Sequence, residues 1–106
     1  MSDIEVPIDI PWDLNFLNGD INLTVPWYLM TSYLYYIEDV ALLHDHQYDL
    51  LCEFMHKNWK HIKHRHKNCI LQASLVAGTG FYLKKEDYPM IVVNAAQQLA
   101  YERGLF

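Results

Sequence analysis

Between Tyr48 and Trp59 the apolar positions Tyr48, Leu51, Cys52, Met55 and Trp59 recur at i, i+3 and i+4. That spacing lays one stripe along an α-helix, and a strand cannot satisfy it. A helix with such a stripe must bury it against another apolar surface. The stretch from Trp27 to Ile37 or Glu38, dense in helix-compatible apolar and aromatic residues, offers one. With 106 residues, 52% of them hydrophobic, the chain can fill one core and has no room for a second. The expectation is a single, mainly α, compact domain: a helical hairpin plus a C-terminal helix.

Turn and cap residues divide the chain further. Thr24 can cap the first helix, whose opening turn accepts Pro26. "EDVALLH" reads as a loop, after which His44 or Asp45 caps a second helix running to about Lys63. A short helix from about Ile70 to Val76 should end at the Gly78-Thr79-Gly80 turn. A last helix starts near Glu86 to Pro89 and continues to Arg103, with Gly104 as its stop. Residues 1–23 hold Pro7, Pro11, an Asn18-Gly19-Asp20 turn and the alternating run "DINLTV". They read as an extended arm with scope for one short hairpin, leaving residues 24–106 as the helical core.

The formal charge of −5 hides an asymmetry. Asp3, Glu5, Asp9, Asp13 and Asp20 precede any Lys or Arg, whereas Lys57, Lys60, Lys63, Arg65 and Lys67 cluster in one segment. The acids are not gathered on one expected element, which argues against a mimic of nucleic acid. No run of about 18 uncharged apolar residues is present, and the start lacks a basic, then apolar, secretory signal. The expectation is a soluble cytoplasmic protein without a membrane partner. Cys52 and Cys69 have neither disulfide-framework nor zinc-site spacing and read as reduced structural thiols.

Chemistry concentrates in "YLYYIEDVALLHDHQYDLL", from Tyr33 to Leu51. Asp45, Tyr48 and Asp49 share one face near the start of the second helix, and Tyr35 and Tyr36 close the helix before it. An aromatic wall opposite carboxylates suits a flat cationic ring attached to a sugar. Ring faces attract the cation and carboxylates accept bonds from ribose hydroxyls, as oxidised nicotinamide riboside would require. The same residues are also what half-buried core tyrosines, and acids favoured by a helix N-terminus, would produce.

At these positions the chain resembles the small N-terminal Ia domain of NAD-dependent DNA ligases, a helical module with the pattern Y-[YH]-x-x-D-x-P-x-x-x-D-x-x-Y-D-x-L. Tyr35, Tyr36, Asp39, Asp45, Tyr48, Asp49 and Leu51 meet it without a gap, and the likeness covers roughly residues 27–55. Ala41 stands where the family has proline, and His46 and Gln47 precede the second Tyr-Asp pair. The resemblance implies that Tyr35, Tyr36, Asp45, Tyr48 and Asp49 contact nicotinamide mononucleotide (NMN), free or as half of NAD. In that family a separate domain supplies the attacking lysine. Here there is no K-x-D-G motif, and Lys85-Glu86-Asp87-Tyr88 is a superficial match. The expectation is therefore a module without catalysis and with no required cofactor. Stand-alone proteins of this kind are most similar to small phage-encoded reading frames, which would place the chain in a host cytoplasm. It would act there as a ligand-binding accessory, or as a regulator or inhibitor of a host DNA-processing or defence protein.

Other chemistries find less support. Lys57, Lys60, Lys63, Arg65 and Lys67 could contact phosphates with Trp59 stacking on a base, although Trp59 also continues the buried stripe. Among the six histidines no two stand at i, i+4, and His61 and His64 at i, i+3 come nearest, so no metal site is expected. Cys52 falls on the buried stripe, and Ser32 and Ser74 have no base beside them in sequence.

Overall fold

The structure, a computed structural model, describes residues 10–80 and 82–106. Its centre is helix α1 (Thr24–Tyr36), apolar on nearly every face and accordingly buried on most of them. Val25, Tyr28, Leu29, Tyr33 and Leu34 are all enclosed. Helix α1 packs most extensively on α4 (Met90–Glu102) and also against α2 (Asp45–Lys57), which in turn packs on α3 (Gln72–Ala77). Leu51, Cys52 and Met55 of α2 and Val92, Ala96 and Ala100 of α4 complete one continuous core. The fold is mainly helical, as expected, and no strand occurs among the described residues.

Local chemistry sets the boundaries. Pro26 sits in the first turn of α1, where its missing amide costs nothing. Thr24 begins this helix rather than capping it, its Oγ1 donating to the Ile21 carbonyl at 2.7 Å. Helix α3 closes on Gly78, whose φ of 67° is left-handed, and the Thr79 amide returns to the Ser74 carbonyl at 3.1 Å. Pro89 precedes α4, and Gly104 terminates it with a φ of 68°.

Two expectations need correction. Helix α2 stops at Lys57 instead of about Lys63: Asn58 leaves the helical conformation with φ of −112° and ψ of 19°, its side-chain Nδ2 joins its own amide on the Phe54 carbonyl at 2.9 and 3.1 Å, and the chain tightens into a 3₁₀ turn over Trp59–His61. The supposed arm is coiled over its described part. Trp12–Leu17 and Ile21–Leu23 are 3₁₀ turns, and Leu14 and Leu17 are fully buried in the core. Asn18 and Gly19 do form the expected turn, with φ of 53° and 78°. It joins two helical turns, not strands: "DINLTV" runs straight into α1, with Asp20 Oδ1 accepting the Asn22 amide at 2.9 Å. Burying these side chains beside α1 outweighs their strand propensity. Residues 1–9 of the expected arm lie outside the described residues. No described helix is long and apolar enough to cross a membrane.

Candidate functional site

The end of α1, the loop after it and the start of α2 form one wall system. After Tyr36 the chain reverses through Asp39, which takes a left-handed φ of 58°, and the Val40 amide returns to the Leu34 carbonyl at 2.8 Å. Leu42 and Leu43 anchor the loop in the core. The chain then enters α2 at His44, whose amide donates to Gln47 Oε1 at 3.2 Å. Asp45, in the first turn, meets the positive end of the helix dipole. This tight return brings the two ends together around a pocket of about 290 Å³.

Tyr35, Tyr36, Asp45, Tyr48 and Asp49, the five residues singled out in the sequence, all line that pocket. Tyr35 and Tyr36 meet edge to face with centroids 4.9 Å apart. Tyr36 is pinned by its hydroxyl to Thr79 Oγ1 at 2.9 Å, while Tyr35 is 51% exposed at the lip. Tyr48 forms the back, its ring stacked on Tyr28 at 5.9 Å and its hydroxyl 2.8 Å from Ser32 Oγ. Burial pushes the Tyr48 phenol well above its ordinary pKa, so it stays neutral. Asp45 and Asp49 are exposed, and neither forms an ion pair or hydrogen bond among the described residues. The pocket lining therefore combines three tyrosine side chains with two carboxylates.

Beyond those five, Thr31, Ala41, Leu42, Leu43 and Gly78 also line the pocket, and the sequence reading assigned none of them to the site. Thr31 lies one helical turn before Tyr35, so spacing alone could have found it. Gly78 comes from the distant α3 turn and carries no short-range signal. A Cβ at Gly78 would stand 3.3 Å from Asp49 Oδ1, and one at Gly80 would stand 2.5 Å from Ser32 Oγ. The turn read as a mere connector is thus a wall of the site. It is tied down by Tyr28, whose hydroxyl donates to the Thr79 carbonyl at 2.7 Å. Asp39 meets the sequence pattern without lining the pocket, and its left-handed conformation shapes the loop instead.

The basic segment is partly committed to structure. Lys67 Nζ donates to the carbonyls of Trp59 and Ile62 at 2.7 and 3.0 Å and lies 4.6 Å from the Trp59 ring centre. That occupies the lysine and covers one face of Trp59, the ring that the nucleic-acid alternative would need for stacking. Lys57 pairs with Glu53 at 3.5 Å, leaving Lys60, Lys63 and Arg65 exposed. His64 Nδ1 accepts the His66 amide at 3.1 Å, and burial, with His66 and Arg65 adding to it, holds the His64 pKa below the usual imidazole value. Among the described residues no three His, Cys, Asp or Glu converge on a metal position.

The nucleophile candidates are likewise engaged. Ser32 is bonded to Tyr48 rather than to a base, and Ser74 Oγ donates to the Leu71 carbonyl at 2.5 Å. Burial pushes the Cys52 thiol up to about 12, which leaves it protonated near neutrality. In comparisons with known proteins, no family model, no curated protein and no solved structure gives a significant match to this chain.

Proposed function

We propose that the pocket between α1 and α2 binds the nicotinamide riboside portion of NMN or NAD, and that the chain is a non-catalytic accessory module like the ligase Ia domain it resembles. The observation that carries this reading is the convergence of Tyr35, Tyr36, Asp45, Tyr48 and Asp49 on one pocket. They come from two helices and meet through a loop whose path the sequence pattern does not dictate. The pyridinium ring lies against the tyrosine faces, and Asp45 and Asp49 accept the ribose hydroxyls. Isothermal titration with NMN and NAD tests this. Asp49→Ala and Tyr35→Ala should each weaken binding at least about 10-fold, roughly 1.4 kcal/mol. Both side chains are exposed, so the helical circular dichroism and melting temperature should hold. No heat at ligand concentrations on the order of 1 mM would retire the proposal.

A second reading, regulation of a host protein by direct contact, is favoured by the outer side of α4 and the C-terminus. Met90, Ile91, Tyr101 and Phe106 are exposed there, and aromatic and methionine side chains are common interface anchors. It predicts a stoichiometric complex that added NMN leaves intact and that Tyr101→Ala disrupts.

A further inference from the structure

The segment between α2 and α3 is pinned at both ends. Ile62 and Ile70 are buried in the core, and the Lys63 amide donates to Asn22 Oδ1 at 2.7 Å. Between these anchors the Lys67 amide closes a turn on the His64 carbonyl at 3.1 Å. The His64 ring holds the same turn a second time, because its Nδ1 accepts the His66 amide at 3.1 Å. An amide can only donate, so Nδ1 is the unprotonated nitrogen of a neutral ring. In an imidazolium both nitrogens are donors, and a proton on His64 would set two donors against each other.

The surroundings oppose that proton. Across a recess of about 140 Å³, His64, Arg65 and His66 face α1 and α4. Those helices present Pro26, Met30, Ile91, Val92 and Ala95, none of them ionisable. The charges near His64 are therefore those of its own turn and Asp20, from the turn before α1. Burial first, then His66 and Arg65, holds the His64 pKa below its ordinary 6.5, and Asp20 only partly offsets them.

An independent observation concerns the other imidazole. His66 Nε2 is enclosed and has no hydrogen-bond partner among the described residues. The closed turn thus carries an unpaired buried nitrogen, a penalty that water removes once the turn opens.

We propose that His64 is a proton-sensitive latch: neutral, it holds the 63–67 turn closed over α1 and α4, and protonated it releases the turn and uncovers Met30 and Val92 beside the already exposed Ile91. The sign follows from linkage. A pKa lower in the closed form than in the open one leaves the closed turn fully stable above 6.5 and weakens it as the pH falls below that value. Release also adds positive charge beside the exposed Lys60, Lys63 and Arg65, so acidification makes this side of the molecule both more apolar and more cationic.

Imidazole nitrogen NMR and amide hydrogen exchange on the full chain test the latch from about pH 7.5 to about pH 5, above the carboxylate range. At the upper end His64 should carry its proton on Nε2. As His64 becomes protonated, the protection factors of the His66 and Lys67 amides should fall several-fold while those of α1 and α2 hold. In His64→Asn the side-chain oxygen can accept the His66 amide without titrating, so protection should persist across the whole range. His64→Ala should lack it at every pH. A His64 proton on Nδ1 at neutral pH, or wild-type protection that does not change with pH, overturns the proposal. The same acid-induced loss in His64→Asn overturns it too, by assigning the effect to another group.

Discussion

Tyr48 serves packing and site with one side chain: its hydroxyl is shared with Ser32, its ring stacks on Tyr28, and the same ring closes the pocket. The two roles separate by substitution. Tyr48→Phe removes the hydrogen bond and keeps the ring, so urea denaturation should show a loss of about 1 kcal/mol while affinity for NMN changes less than about 2-fold. A large affinity loss in Tyr48→Phe would mean that the hydroxyl, not the ring, meets the ligand. The shared face of Asp45, Tyr48 and Asp49 was legible in the sequence because helical spacing alone fixes it. The Ser32 partner, sixteen residues away, was not, because it depends on how α1 and α2 pack.

Among the elements, the Gly78-Thr79-Gly80 turn departs furthest from its reading as a connector. Gly78 stops α3 in a left-handed conformation and leaves just enough space for the Asp49 carboxylate. Gly78→Ala should therefore cost about 1–2 kcal/mol through the positive φ. It should also weaken ligand binding more than an equally destabilising core substitution, because the new methyl displaces Asp49. Equal affinities in the two variants would show that the turn does not shape the pocket. The helix stop at Gly78 was legible, since glycine is the common residue there. Its place against α2 was not, because nothing within a few residues of Gly78 encodes a contact with Asp49. Helix α2 was overextended for a related reason: the stripe reaches Trp59, yet Asn58 leaves the helical conformation first, with its side chain and its amide both on the Phe54 carbonyl.

For the molecule as a whole, the stretch before α1 is part of the core. Leu17→Ala should destabilise by about 2–5 kcal/mol, the range for a fully buried leucine. Denaturant titration showing less than about 1 kcal/mol would return this stretch to the status of a loose arm. Helices α1 and α4 are also joined through Glu38, which accepts from the Tyr33 hydroxyl at 2.5 Å and from Gln97 Nε2 at 3.2 Å. These bonds, Tyr33 first, hold the Glu38 carboxyl below its ordinary value of 4.5. A depressed folded-state pKa contributes stability that is present above 4.5 and lost as the pH falls through the lower, folded value. Melting temperatures of the wild type and Glu38→Gln should therefore differ at neutral pH and converge as the solution is acidified below 4.5. A pH-independent difference would exclude the linkage. The helical class was legible from the stripe and the apolar first helix, whereas this polar link between α1 and α4 spans 59 residues and appears only once the helices are packed.

The central claim, that the space between α1 and α2 receives a nicotinamide riboside group, is tested most directly by titrating NMN into isotope-labelled protein and following backbone amide NMR signals. Saturable shifts concentrated at Thr31, Tyr35, Tyr36, Asp45, Tyr48, Asp49 and Gly78, and abolished in Asp49→Ala, are the result predicted. Amide signals that stay fixed through millimolar ligand, or that move elsewhere in the fold, would contradict it.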